Sequence, residues 1–235
     1  MFNRIEMKAK AREILHKNIF MLGSMAAIPF IIELLGNQFV PQIPQEYYTS
    51  LPSDLGVVYI ALAKNLAGSQ LLGVASAVAT YFLVVMCMEL RRNPEADFNS
   101  ISKQMSVKGF INYGVKMMLL NIITGIGMMF FVFPGLYLSY RYFFVRYIAI
   151  EQPELSIRET FALSKEYSKG IKVSLFVLDL SFILWIFAQV MLYSIPSLYV
   201  TPYIILTIMF VYYDRKRVFE KNETYQENEY SSPDM

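Results

Sequence analysis

Cysteine and histidine are almost missing from this chain, and charge is thin. One cysteine, Cys87, and one histidine, His16, stand among 235 residues. A lone cysteine inside an apolar run excludes a disulfide framework or a cysteine zinc site. A lone histidine removes most routes to a metal centre or to histidine-based catalysis. Charged residues are 17% of the chain, where soluble domains carry about a quarter. No G-x-S-x-G, H-E-x-x-H or P-loop is present, and no G-x-G-x-x-G follows a strand. Neither an intramembrane carboxylate pair nor a serine–histidine arrangement is visible. The chain therefore reads as non-enzymatic, with no cofactor, no metal and no nucleic-acid partner expected.

What is present is apolar. Such residues reach 55% of the chain and mean hydropathy is +0.39, which leaves no room for an independent soluble domain. Isoleucine, leucine, phenylalanine, tyrosine and methionine dominate 18–36, 68–90, 110–150 and 171–213. About 20 residues cross a ~30 Å hydrocarbon core, so the last two runs must each fold back once. The expected fold is all-α, a polytopic membrane bundle of six spans near 18–36, 68–90, 110–133, 135–150, 171–193 and 197–213. These form one membrane domain, 1–213. The basic start followed by apolar residues superficially resembles a signal peptide, but its small residues come too early, so 18–36 reads as a retained span. Residues 214–235 mix Lys221 with Glu220, Glu223, Glu227 and Glu229 and read as a disordered cytoplasmic tail.

Orientation follows from lysine and arginine in short loops, which stay cytoplasmic. Arg4, Lys8, Lys10, Arg12 and Lys17 precede span one. Arg91, Arg92, Lys103 and Lys108 follow span two. Arg158, Lys165 and Lys169 follow span four, and Arg215, Lys216, Arg217 and Lys221 follow span six. Every even-numbered exit is basic, so both termini are expected in the cytoplasm of a bacterial cell. Between spans five and six, Pro196 supplies the fold-back. Between spans three and four the favoured boundary is Pro134-Gly135, with Pro134 as a kink in span four the alternative. Residues 57–66 are apolar enough to lie in the interface or to extend the second span.

Each outgoing span follows a polar, partly amphipathic segment ending in Lys17-Asn18, Lys108-Gly109 or Lys169-Gly170. An internal triplication and plain positive-inside sorting both account for this. The third segment is the clearest helix, because Ser156-x-x-Glu159 is a capping box. Ile157, Phe161 and Ser164 share one face, and Arg158, Lys165 and Lys169 can meet anionic headgroups at the cytoplasmic interface.

Ionisable groups inside a bilayer are the default functional residues, since each costs about 2.5–3.5 kcal/mol or more at a helix centre. Arg141 and Asp179 fall at matched depth on consecutive spans, roughly 13–15 Å in. Pairing them is the simplest way to hold both charges, either as an interhelical staple or as the lining of a polar cavity that binds a headgroup or peptide carboxylate. Asn121, Thr124, Ser139 and Gln189 can extend such a cavity or serve as ordinary interhelical hydrogen-bonders. Tyr137 belongs to a tyrosine cluster with Tyr113, Tyr140, Tyr142 and Tyr147, which reads as a binding site or as interface anchors. The candidate ligand-binding set is thus Arg141, Asp179, Tyr137, Asn121 and Gln189. Lys116 and Arg146 lie shallower and can snorkel to the headgroups beside Lys108.

The stretch Phe133-Pro134-Gly135-Leu136, then Ser139-Tyr140-Arg141-Tyr142, is followed by Ser156, Ala162, Ser164, Lys169-Gly170, Pro202-Tyr203 and Tyr212-Tyr213. This pattern resembles a family of uncharacterised bacterial integral membrane proteins (domain of unknown function nine-seven-five). That family is similar in layout to the membrane domain of some glycerophosphodiester phosphodiesterases. The likeness covers about half the chain, from span three onward. Glu151-Gln152 departs from the acidic-Asn-Pro turn of many relatives. The resemblance implies a six-span bundle and draws attention to Arg141, and it implies no activity.

Three functions compete. The first is a non-enzymatic envelope protein that holds a lipid or amphipathic peptide, in envelope homeostasis or self-immunity. The second is a transporter or a permease-like subunit of one, which calls for broken spans meeting at the midplane; Gly125, Gly127 and Pro134 offer one break and no partner for it is evident. The third is a scaffold whose basic helices and tail recruit a cytoplasmic partner.

Overall fold

The computed structural model describes residues 2–39, 55–103, 106–130, 132–192 and 195–230. Every regular element among them is a helix. In chain order these are α1 (Arg4–Lys17), α2 (Ile19–Phe39), α3 (Leu55–Arg92), α4 (Phe98–Lys103), α5 (Val107–Phe130) and α6 (Val132–Arg141). Then follow α7 (Val145–Glu151), α8 (Ile157–Tyr167), α9 (Lys172–Leu180), α10 (Ile183–Met191) and α11 (Ser197–Tyr230). Three contain a stretch long and apolar enough to cross a membrane: Ile19–Gly36, Val107–Met128 and Ser197–Asn222. The pair α9–α10 adds a fourth if its 42° bend lies within one span. Only 12% of the first stretch and 22% of the second are buried. Faces this apolar and this bare are suited to a membrane.

The core forms where the end of α3 meets α7 and α11. Leu83, Val84, Met86, Cys87 and Leu90 of α3 are fully buried, as are Val145 and Ile148 of α7 and Leu206, Met209 and Tyr212 of α11. α11 is the axis, packed by α1, α2, α3 and α8. α1 buries Met7, Ala11, Ile14 and Leu15, and its His16 Nε2 lies 3.2 Å from the Tyr199 hydroxyl. It is therefore a packed element of the bundle and not a free interfacial helix. Basic ends converge: Asn18 donates to the Pro94 carbonyl at 3.3 Å, and Arg91 lies over the Tyr213 ring at 3.4 Å. Arg215 donates to the Tyr167 and Lys169 carbonyls at 3.1 and 3.3 Å, closing the end of α8. Lys216 pairs with Glu151 at 3.0 Å, and the Tyr212 hydroxyl donates to the same carboxylate.

Several sequence expectations change. Residues 57–66 belong to the same helix as 68–90, because α3 runs from Leu55 to Arg92. Span four, expected at 135–150, is two helices, α6 and α7, separated by a turn at 142–144. Aromatic residues fill that turn, and their side chains lose χ1 freedom in a helix; here Tyr140 stacks on Phe143 and Tyr142 meets Phe161 edge-on. Span five breaks at Ser181–Phe182, where the Ser181 hydroxyl donates to the Leu178 carbonyl, a back-bond that bends helices. Pro134 is neither boundary nor kink. It sits in the first turn of α6, where a missing N–H costs nothing. α5 ends at Phe130 and α6 begins at Val132; residue 131 lies outside the described residues, as do 40–54, 104–105, 193–194 and 231–235. The tail is helical to Tyr230: Lys216 and Glu220 pair at 3.8 Å, and good helix formers prolong a helix already nucleated by its buried half.

The three-fold pattern has no common geometry. Asn18 caps α1 and joins it to α2. Gly170 follows α8 with φ +76°, a left-handed conformation that favours glycine. Gly109 lies inside α5.

α5 and α6 form a hairpin closed by two glycines. A Cβ on Gly135 would stand 2.7 Å from the Met128 backbone nitrogen, and one on Gly127 would stand 3.0 Å from the Gly135 Cα. Around Gly125 nothing lies within 4 Å. Gly135→Ala is expected to cost about 1–3 kcal/mol in detergent unfolding, as overpacking does, while Gly125→Ala is neutral or stabilising by up to ~1 kcal/mol. Equal effects would contradict the close approach.

The capping box forms as read: Glu159 N–H donates to Ser156 Oγ at 3.3 Å, and Ser156 N–H to Glu159 Oε2 at 2.8 Å. Ser156→Ala should therefore lower amide protection in α8 by the equivalent of about 1 kcal/mol. Hydrogen bonds with the Ser156 side chain and backbone hold the Glu159 carboxyl below its ordinary value. A depressed pKa means this contribution is complete above the unfolded value, near ~4.3, and fades as pH falls through the folded one. Hydrogen exchange of α8 should show that acid-side loss in wild type and not in Glu159→Gln.

Candidate functional site

A cavity of about 260 Å³ opens between α5, the α6–α7 break and α11. Asn121 and Thr124, three residues apart on α5, share a face with Met117 and Leu120. Ser139 comes from α6, Tyr142 and Phe143 from the turn, Arg146 and Tyr147 from α7. Ile208 of α11 completes the apolar side. The break makes the site, because it turns the aromatic pair inward while α7 carries Arg146 back to the same wall. Ser164 Oγ of α8, fully buried, accepts the Phe144 N–H at 3.2 Å and so satisfies the first free donor of α7.

The polar groups are unequal. Thr124 donates to the Leu120 carbonyl at 2.8 Å and Ser139 to the Gly135 carbonyl at 3.0 Å, so both hydroxyl protons are engaged within their own helices. Tyr147 donates to the Ile205 carbonyl at 2.9 Å. Arg146 interacts with the Tyr113 hydroxyl and has no ion pair among the described residues. No carboxylate lines the cavity among those residues. Its wall is cationic on one side and apolar on the other.

The expected ligand set divides. Asn121 lines the cavity; Arg141, Asp179, Tyr137 and Gln189 do not. Arg141 and Asp179 form no ion pair. Asp179 instead accepts the Tyr140 hydroxyl at 2.8 Å. Consecutive helical residues point ~100° apart, so the rotation that gives Tyr140 to Asp179 leaves Arg141 to interact with the Tyr137 hydroxyl one turn back. Arg141 ends α6 with its Nε buried and without a hydrogen-bond partner, near the Tyr142 ring at 5.5 Å. Tyr137 is 51% exposed and accepts from Lys172 at 3.3 Å. Gln189 lies on α10.

Of the interfacial cations, Lys108, Arg158, Lys165 and Lys169 are exposed. Lys116 and Arg146 are less exposed, Arg146 being half-buried at the cavity wall. Lys116 is fully buried, its ammonium without a hydrogen-bond partner among the described residues. The loop before α8 folds over this part of α5, where Asn112 donates to the Pro153 carbonyl, and brings Glu154 and Glu159 into the field of Lys116. On α8 the buried face is Thr160, Ser164 and Tyr167, one step round from the face expected. The signal for Arg146 was present: Ser139, Tyr142 and Arg146 keep helical spacing across the break, in register with Asn121 and Thr124 on α5.

Double-mutant cycles in detergent unfolding check this rearrangement. Tyr140→Phe with Asp179→Asn should show a coupling of about 1.5–3 kcal/mol, as for a hydrogen bond to a charged group. Arg141→Gln with Asp179→Asn should be additive to within about 0.5 kcal/mol. The reverse order would restore the Arg141–Asp179 staple.

No curated protein and no solved structure matches the chain. A protein family matches residues 99–218, just over half of the chain, and every cavity-lining residue falls within that segment. On this match the chain belongs to the family described as protein of unknown function (DUF975).

Proposed function

We propose that this is a non-enzymatic, multi-pass protein of the bacterial cell membrane that holds an amphipathic lipid or peptide, in envelope homeostasis or self-immunity. The observation that carries the reading is the cavity at the α6–α7 break, cationic on one wall and apolar on the other, beside helices suited to lipid. Ordinary polar contacts between helices close on one another; these leave a space of about 260 Å³. The six-crossing topology with cytoplasmic termini belongs to the same proposal. It counts α6–α7 and α9–α10 as broken crossings and α3 as a long one. The gathering of Arg91, Arg215 and Lys216 with the ends of α3 and α8 supports it.

A transporter is the second reading, and a specific observation favours it. Two breaks, at 142–144 and at 181–182, occur on helices that touch through Tyr140 and Asp179. Facing discontinuous helices are where transporters bind substrate, although neither break is the one at Gly125, Gly127 and Pro134 that the sequence offered.

Native mass spectrometry of the protein extracted in its own membrane patches tests the holding function. Wild type should retain a defined amphiphile that Ser139→Trp, which fills the cavity, releases. The same bulk lipids on both proteins would remove the cavity from the argument and leave a scaffold. Exchange of the retained molecule across proteoliposomes would favour the transporter.

A further inference from the structure

The free donors on the cavity wall decide what kind of guest it takes. With the Thr124, Ser139 and Tyr147 hydroxyl protons engaged elsewhere, the groups left to donate are the Arg146 guanidinium, the Asn121 amide and the Tyr142 hydroxyl. All three line the same space, and no carboxylate does so among the described residues. A cation without a counter-ion in a low-dielectric setting selects an anion, because attraction between charges grows as the dielectric falls. Three N–H- or O–H-bearing groups of different reach suit an oxyanion with several acceptors. A guanidinium fork matches phosphate oxygens in pairs.

Size and surroundings narrow the guest further. Pockets that enclose a drug-sized molecule run to about 300–1,000 Å³, so 260 Å³ takes a headgroup and not a whole lipid. Along the same helix, Val115, Met118 and Ile122 are exposed, next to Asn121, which is itself exposed. A guest with its head among Arg146, Tyr142 and Asn121 can leave its chains along that apolar stripe. Resting on the holding function above, we infer that the cavity is a phosphate-oxyanion site, with Arg146 as the charge contact and Tyr142 and Asn121 as hydrogen-bond donors. The phosphate is that of a membrane glycerophospholipid or the free ion.

The test uses the full chain in nanodiscs containing phosphatidylglycerol and an uncharged diglucosyl diacylglycerol, read by native mass spectrometry after mild delipidation. Wild type should retain phosphatidylglycerol in preference to the glycolipid, and Arg146→Gln should reduce that preference about tenfold or more, the size of one charge-assisted hydrogen bond. Tyr142→Phe, which removes a donor and leaves the charge, should give a smaller loss in the same direction and carries the test if Arg146→Gln fails to fold. Millimolar inorganic phosphate distinguishes the sources. Displacement of the lipid assigns the site to the free ion, and no displacement assigns it to the headgroup. Equal retention of both lipids by wild type, with both lost in Ser139→Trp, overturns the oxyanion site and keeps the holding function. Retention unaffected by Ser139→Trp overturns both.

Discussion

A helix that breaks in apolar surroundings frees backbone groups that water cannot reach, and each costs several kcal/mol unless another group meets it. Two breaks lie side by side in this bundle, the first with its Phe144 N–H buried and the second with Ser181 exposed, and a distant side chain meets each. Ser164 of α8 takes the Phe144 N–H at the start of α7. Lys8 of α1 reaches the second break, its ammonium 2.6 Å from Ser181 Oγ, 3.5 Å from the Ser181 carbonyl and 4.2 Å from the Phe182 ring centroid. Packing of α1 and α8 against α11 therefore does more than fill space. It makes the broken geometry of α6–α7 and α9–α10 affordable, and the cavity exists only because α6 stops where it does.

Charge inside the bundle is handled by hydroxyl groups as often as by opposite charge. Asp179 is met by Tyr140, and Glu151 by Tyr212 together with Lys216. A phenol can donate to a carboxylate without bringing a second charge to be desolvated, which suits a low-dielectric interior where ion pairs only partly repay their lost hydration. Arg146 has the Tyr113 hydroxyl on one side and the cavity on the other. It is this one-sided arrangement, more than the number of polar residues, that separates the cavity from the other polar contacts.

The N-terminal half and the family segment divide the labour. All lining residues of the cavity lie in 99–218. α1, α2 and α3 add core and hold α11, while the exposed faces of α2 and α10, with Phe20 at 92% and Leu184 at 78%, turn outward. The helical extension to Tyr230 carries charge away from the core along the same axis.

Composition and periodicity by themselves determined the all-helical class and the presence of helices long and apolar enough to cross a membrane. Apolar runs dictated helices suited to lipid, and Ser156-x-x-Glu159 specified the start of α8. Asn121, Thr124 and Ser139 were recognisable as polar residues able to extend a cavity. Those features are local: hydrophobicity, capping and spacing act within a few turns. Span number and partner choice are not local. Arg141 and Asp179 matched in depth, yet depth leaves rotation about the helix axis free, and packing chose the rotation that gives Asp179 to Tyr140. Arg146 reads as a shallow, snorkelling cation until the break at 142–144 sets its direction. Only the tertiary structure decided where helices break and which face each turns inward, because a break is stable only when a side chain far away in sequence satisfies the backbone it exposes.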